Sequence, residues 1–128
     1  MRTLPSIDMH AHIDIGIEPS ELTALNAVVF AACRSLDEAE SALARTDELT
    51  VWGTGCHPGL VGAQRAFTRD RFEDQVLRTS YVAELGLDGK SRVPMDTQVN
   101  TLRTALEVLT EHPRITSLHS YEATEELI

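Results

Sequence analysis

Two histidines near the amino terminus, His10 and His12, are separated by one residue and follow an acidic residue, Asp8. On a β-strand, side chains two residues apart leave the same face, so both imidazoles would point into one pocket. Imidazole is a common ligand for zinc and for several other first-row metal ions. Taken alone, however, such a pair favours two surface histidines in a terminal strand.

Further candidate ligands follow apolar stretches that have the pattern of buried strands. Because the carboxyl ends of parallel strands meet at one edge of a sheet, we expect these ligands to lie near the first two histidines. The candidates are His57 after the stretch 49–55, Glu84 within 81–85, and His119 at the end of 114–119. Their shared placement favours a metal site over scattered surface residues.

Glu84 is the candidate bridging ligand, because a carboxylate can bridge two cations whereas a neutral imidazole cannot. It stands in an apolar run, where an unpaired buried carboxylate would be strongly destabilising. A bound cation would remove that cost.

The spacing of apolar residues and helix caps predicts strands that alternate with helices. Ser35 with Glu38, and Asp70 with Glu73, match the capping box that opens a helix. The predicted strands are 4–10, 26–33, 49–55, 81–85 and 114–119. The predicted helices are 19–25, 35 to about 45, 70 to about 78, 94–111 and one from 122 to 128, with the apolar stripe Val99, Leu102, Leu106 and Leu109 on the fourth. This alternation predicts a single α/β domain over 1–128, a parallel (β/α) TIM-barrel type with about five βα units.

Composition limits the class of protein. At 128 residues and 42% hydrophobic the chain can form one packed core, and at 5% aromatic we expect that core to be mainly Leu, Val, Ile and Ala. The net charge of −9 argues against a broad basic surface for nucleic acid, but not against a nuclease whose metals neutralise one phosphate. No apolar run is long enough for a membrane span, and no signal peptide is recognisable. Cys33 and Cys56 form no CxxC motif, so we expect free thiols and a cytoplasmic location.

Taken in order, these motifs resemble the TatD family of metal-dependent hydrolases, which are amidohydrolase-like TIM barrels. The family has a D-x-H-x-H opening, a G-x-H-P turn, a G-E-I-G-L-D strand end, a helix with an early Gln, and a strand that ends in His-Ser. The matching residues here are Asp8, His10, His12, Gly55, His57, Pro58, the segment 83–88 with Ala83 for the first Gly, Gln98, His119 and Ser120.

The resemblance implies a hydrolase that uses one or two divalent ions (Zn, Mn or Mg) and metal-activated water against phosphodiester bonds of DNA or related esters. It implies that His10 and His12 bind one metal, that Glu84 bridges two, and that His119 binds the second. His57 would contact the substrate or support a ligand, and we assign Glu84 and His57 as the catalytic residues.

The chain departs from the family in two respects. Tyr121 stands where the family usually has Arg, which removes a possible phosphate contact. The family's later ligands, a His after strand 6 and an Asp after strand 8 that is the expected general base, have no counterpart, and a TIM barrel needs at least about 200 residues. Either the sequence is a piece of a longer chain, or we expect a homo-oligomer or a partner protein that completes the barrel. We expect this chain alone to bind metal but to hydrolyse poorly.

Alternatives follow from the same residues. One is a non-catalytic half-barrel that acts through a partner, and another is a PHP-type phosphoesterase, against which the G-x-H-P and E-L-G-L-D elements argue. Asp88 would either orient a ligand or cap a turn, and Lys90 and Arg92 would either meet a substrate phosphate or form a solvated loop. We expect His112 to be an exposed helix cap and Asp14 a loop acid.

Overall fold

Five strands alternate with five helices over residues 4–123, the range that the computed structural model describes. The strands are β1 (Ser6–Ala11), β2 (Ala27–Ala31), β3 (Thr50–Trp52), β4 (Tyr81–Asp88) and β5 (Ile115–Tyr121). The helices are α1 (Pro19–Ala24), α2 (Leu36–Leu43), α3 (Val61–Ala66), α4 (Arg69–Val76) and α5 (Met95–Glu111). The predicted α/β class with parallel strands is confirmed.

The described strands pair in parallel and in chain order. β1 pairs with β2, β2 with β3, and β4 with β5. Thr54 links the two sheets, because its N–H donates to the Tyr81 carbonyl at 3.2 Å and its carbonyl accepts from the Ala83 N–H at 2.9 Å. The strand order is therefore β1 to β5, and this order brings the carboxyl ends of the strands to one edge.

The sheet is curved, so that β1 and β5 approach each other across its concave face. The Tyr81 hydroxyl donates to the Met9 carbonyl at 2.9 Å, and His10 Nδ1 lies 2.9 Å from Ser117 Oγ. The neighbouring Val82 belongs to a separate apolar cluster that includes Phe72 of α4 and Ala105 of α5. A curved parallel sheet with helices packed against one face is the geometry of part of a barrel.

The packed core differs in two details from the prediction. Among the described residues it consists mainly of Leu, Val and Ala, and no isoleucine is fully buried. On α5 the buried face is Leu102, Ala105 and Val108, whereas the predicted stripe residue Leu106 is 44% exposed. The prediction misplaced this face because it followed only the large apolar residues. The small Ala105 is completely buried and allows α5 to contact the sheet closely.

Two helix starts show where capping patterns succeed and fail. Ser35 caps α2 as predicted, with its Oγ accepting from the Glu38 N–H at 3.1 Å. The prediction of Asp70 as a cap is wrong, because Thr68 is the extended residue whose Oγ1 accepts from the Arg71 N–H at 3.3 Å. Asp70 lies in the first turn instead, where a carboxylate also stabilises the helix.

Other elements differ in length or were missed. Helix α3 was not predicted, and none of its caps uses a side chain. Strand β3 is shorter than predicted, whereas β4 and β5 extend further, to Asp88 and Tyr121. The predicted helix from 122 to 128 lies mostly outside the described residues, and residues 122 and 123 are not helical. Over residues 4–123 no helix is long and apolar enough to cross a membrane, and both cysteines are buried with free thiols.

Gly86 allows β4 and β5 to approach each other closely beside Glu84 and His119. It pairs with His119, its φ is +149°, and a Cβ built on it would overlap the His119 carbonyl. We predict that Gly86→Ala lowers the free energy of unfolding by at least about 2 kcal/mol, through backbone strain and overpacking. Urea unfolding followed by circular dichroism measures this change.

Gly62→Ala is the matched control, because a Cβ at this helical position meets nothing within 4 Å. We expect it to raise stability by about 0.5–1 kcal/mol, since alanine restricts the unfolded chain and favours the helix. Equal effects of the two substitutions would contradict the close approach of β4 and β5.

Candidate metal centre

The carboxylate of Glu84 lies at the middle of a group of histidines at the carboxyl edge of the sheet. Glu84 is only 5% exposed. Its Oε1 lies 2.6 Å from His10 Nε2 and 3.4 Å from His12 Nε2. Its Oε2 lies 3.5 Å from His57 Nε2 and 3.8 Å from His119 Nδ1. Each carboxylate oxygen therefore faces its own pair of imidazoles, which is the arrangement expected of a ligand shared between two cation positions.

Parallel pairing explains why these residues meet. His10 lies on β1 and His12 directly follows it, while His57 is in the loop after β3. His119 is held opposite Gly86 by the register of β4 with β5. The structure thus brings together every metal-site residue that the sequence suggested, whereas their roles as ligands or catalytic groups stay predictions.

His10 is oriented by contacts that the sequence did not reveal. Its Nδ1 lies 2.9 Å from Ser117 Oγ and 3.3 Å from the Tyr81 hydroxyl, which leaves Nε2 directed at Glu84. Burial, more than any nearby charge, raises the pKa of Tyr81, so this hydroxyl stays protonated. Ser117 had one signal in the sequence: it lies two residues before His119, on the same face of the strand.

His57 presents a hydrogen-bond donor to the centre. Its Nδ1 accepts from the Gly59 N–H at 2.9 Å, so in the neutral ring the proton is on Nε2, the atom that faces Glu84. Burial, followed by the nearby His119, lowers the pKa of His57 and favours this neutral form. A protonated Nε2 cannot bind a cation, which supports a role beside the substrate or a ligand for His57.

His119 presents the opposite ring nitrogen. Its Nε2 lies 3.3 Å from Asp88 Oδ2, and a carboxylate can only accept, so Nε2 carries the proton and Nδ1 is free to bind a cation. Asp88 Oδ1 accepts from the Lys90 N–H at 2.9 Å. Gln98 anchors the same residue, since its Oε1 accepts from the Asp88 N–H at 2.7 Å. Asp88 therefore both orients a histidine and closes a turn.

The other candidate residues lie outside these contacts. Asp14 Oδ1 accepts from the Gly16 N–H at 2.7 Å, as expected of a loop acid, and Lys90 pairs with Glu122 at 3.5 Å. His112 follows the last turn of α5, 3.9 Å from Glu73. His112, Glu73 and Glu111 form a separate group of possible ligands, which lies between α4 and α5, away from the sheet edge.

The donor set of the centre fits a divalent cation. Within the described residues, the ion-pair contacts of Glu84 are all to imidazoles, with no lysine or arginine to compensate its buried charge. Two groups of atoms converge closely enough to hold an ion, His10 with His12 and Glu84, and His57 with Glu84 and His119. Nitrogen and carboxylate ligands of this kind suit zinc and manganese. In the second group the Nε2 proton of His57 leaves Glu84 and His119 as the available ligands.

Comparison with known proteins identifies the fold. No model of a known protein family matches the chain, and neither does any curated protein. The solved structure of YjjV, a TatD homologue from Escherichia coli K12, is similar, with a TM-score of 0.78 at 19% sequence identity. The chain has the fold of part of a TatD-type barrel. The match covers 95% of this chain but 53% of the TatD homologue, so the chain spans about half of its length, as expected for a half-barrel.

We predict that Asp88→Asn impairs the candidate metal centre more than Asp88→Ala does. The Lys90 N–H requires the amide oxygen, so the amide nitrogen would face His119 Nε2 and force the ring proton onto Nδ1. Metal affinity should fall by about 10- to 100-fold. Long-range proton–nitrogen NMR correlations of the metal-free chain report the proton position directly, and titration with Zn²⁺ reports the affinity.

Asp96→Asn is the control, because Asp96 is an exposed acid in the first turn of α5. It should leave both the His119 tautomer and the metal affinity unchanged. If Asp88 only stabilised the turn, alanine would disturb it more than asparagine does, and Asp88→Ala would weaken metal binding more than Asp88→Asn. That result would contradict the assignment of Asp88 as the group that orients His119.

Proposed function

We propose that the chain provides half of a metal-dependent hydrolase of the TatD type, which uses metal-activated water against phosphodiester bonds of DNA or related esters. The observation that carries the proposal is the division of the Glu84 carboxylate between two pairs of histidines, one on each oxygen. The similarity to a TatD homologue over 95% of the chain supports it. A divalent metal, when bound, lowers the pKa of water and polarises the scissile group.

Each residue has a distinct role in this proposal. His10, His12 and Glu84 would hold one cation, and His119 together with Glu84 would hold a second. His57, neutral with its proton on Nε2, donates a hydrogen bond to a substrate oxygen or to Glu84. A metal held by these residues would polarise the substrate, and the low solvent exposure of Glu84 would strengthen that effect.

The described half of the barrel offers no free carboxylate beside the histidines that could accept a proton from the attacking water. Over residues 4–123, Glu84 and Asp88 are the only carboxylates in ion-pair contact with the histidines of the centre, and both are already engaged there. A general base contributes about 10²- to 10⁴-fold to rate. This supports the expectation that the chain binds metal but turns over slowly.

The test measures metal binding and hydrolysis separately. We predict that the purified chain binds Zn²⁺ or Mn²⁺, and that Glu84→Gln and His10→Ala each weaken binding by about 100-fold or more, beyond the loss seen for residues that only support ligands. Hydrolysis of bis(p-nitrophenyl) phosphate should be slow, metal-dependent and absent in Glu84→Gln.

His112→Ala is the matched control, because it removes a histidine from the group between α4 and α5. It should bind metal as the unmodified chain does. Metal binding that survives Glu84→Gln would contradict the proposed centre, and fast hydrolysis would show that the missing base is not needed.

We also propose that a second copy or a partner protein covers the edges of the described sheet. The second candidate function is therefore a non-catalytic half-barrel that acts through this partner. On β1, Ile7 is 59% exposed, and on β5 Leu118 is 50% exposed. Strand edges with exposed apolar residues are prone to pair with another chain. The cytoplasm, with its reducing conditions, is the location that the free thiols of Cys33 and Cys56 suggest.

Sedimentation equilibrium checks this assembly. We predict a mass above the 14.1 kDa of one chain, and Ile7→Lys together with Leu118→Lys should lower it by placing charges on both edges. Leu77→Lys, on the exposed end of α4, is the control and should not change the mass. A monomer that unfolds cooperatively would contradict the proposal.

A further inference from the structure

A cavity lies beside the candidate metal centre, between the first turns of α3 and α5. Its volume is about 410 Å³, which is within the usual range for small-molecule sites. The residues that line it are Val61, Gln64, Arg65, Arg92, Val93, Pro94 and Thr97. Its wall therefore combines two cationic side chains with apolar groups.

The cavity belongs to the same edge of the sheet as the centre. Helix α3 follows the loop that carries His57, and α5 follows the loop after Asp88. The two loops touch, because Ser91 Oγ donates to the Pro58 carbonyl at 3.4 Å. Gln64, in the cavity wall, donates from Nε2 to the His57 carbonyl at 3.3 Å. The cavity wall is thus in direct contact with the backbone of a residue of the centre.

The two arginines of this cavity have no acidic partner. Four of the nine arginines within residues 4–123 form ion pairs with acids, namely Arg45, Arg69, Arg71 and Arg78. Arg65 and Arg92 are exposed and have neither an ion pair nor a hydrogen bond with any residue in 4–123. In a chain with 20 acidic and 11 basic residues, two unpaired guanidinium groups at one cavity favour an anionic ligand.

Gln64 supplies an independent indication of a ligand. It is 9% exposed, and its Oε1 is buried without a hydrogen-bond partner among the described residues. The Nε2 contacts to the His57 carbonyl and to Cys56 Sγ fix which end of the amide is the oxygen. A donor on a ligand, such as a sugar hydroxyl or a base amine, would satisfy this acceptor after a small adjustment of the wall.

We propose that this cavity is a nucleotide subsite that holds the part of a single-stranded nucleic acid next to the scissile bond. Arg65 and Arg92 bind its phosphate, since guanidinium groups match phosphate oxygens in pairs. Val61, Val93 and Pro94 contact the sugar or base. The choice of a nucleotide rests on the proposed phosphodiesterase function, whereas the preference for a phosphate rests on the arginines alone.

Binding without metal tests the subsite independently of hydrolysis. Fluorescence anisotropy of a labelled octathymidylate in EDTA should show weak, salt-sensitive binding. Arg65→Gln and Arg92→Gln should each weaken it several-fold and lower the slope of log K against log salt by about 0.7, the value for one lost phosphate contact on a single strand. Arg92→Lys should recover part of the loss, and circular dichroism checks that each variant is folded.

Arg103→Gln is the matched control, because Arg103 is an exposed arginine of α5 that lies outside the cavity and also has no ion pair within the described residues. It should leave binding unchanged. Equal losses in the three glutamine variants would show a general charge effect and overturn the subsite, as would the absence of any binding by the unmodified chain. Oligomers with and without a 5′-phosphate, and competition by inorganic phosphate, distinguish a terminal phosphate from an internal diester, and either result supports the site.

The two proposals fail separately. Arginine-dependent binding in EDTA without metal-dependent hydrolysis of bis(p-nitrophenyl) phosphate would support the subsite and contradict the hydrolase. Hydrolysis that Glu84→Gln abolishes, combined with binding that ignores Arg65 and Arg92, would support the hydrolase and overturn the subsite.

Discussion

A carboxylate that is almost entirely removed from water, surrounded by imidazoles and by no lysine or arginine in ion-pair contact among the described residues, is the constraint on which this structure depends. Such a group is strongly destabilising unless positive charge reaches it. The curved parallel sheet makes that possible, because it collects the ends of separate strands around Glu84. Protonated imidazoles or divalent cations are the sources of charge that this geometry admits, and the unprotonated Nδ1 that His119 directs at Glu84 favours a cation.

The chemistry of each histidine is set by the partner of its other ring nitrogen. A backbone N–H from Gly59 turns His57 into a donor, while the Asp88 carboxylate leaves Nδ1 of His119 available as a ligand atom. Asp88 is in turn held through Gln98 at the start of α5. A chain of hydrogen bonds thus runs from a helix to the centre, so a change in that helix would alter a ligand without touching it.

Charge is distributed so that attraction for an anion is local. The net charge of −9 repels nucleic acid at a distance, and four of the nine arginines within residues 4–123 are neutralised by acids. Arg65 and Arg92 lie at a cavity beside the centre and have no ion pair with any residue in 4–123. In the proposed function, the protein would therefore hold a nucleic-acid strand through a few close contacts and any cations bound at the centre, with little contribution from long-range steering.

Particular residues show what the sequence by itself determined. The spacing of His10 and His12, and the placement of His57, Glu84 and His119 after apolar stretches, required only the periodicity of strands and the parallel order of a βα chain. These are local properties, so the α/β class and the composition of the centre followed from them. Helix α3 and the start of α4 at Thr68 were missed because competing caps and a single helical turn leave too weak a local signal.

Only the tertiary structure decided the contacts that connect distant parts of the chain. The approach of His10 to Ser117 and the bond from Tyr81 to the Met9 carbonyl depend on how strongly the sheet curves. The proton positions on His57 and His119 depend on which groups the loops bring within hydrogen-bond distance. The buried face of α5 depends on a small alanine that periodicity of large residues does not detect. Curvature and packing result from many contacts across the whole sheet, so no short stretch of sequence determines them.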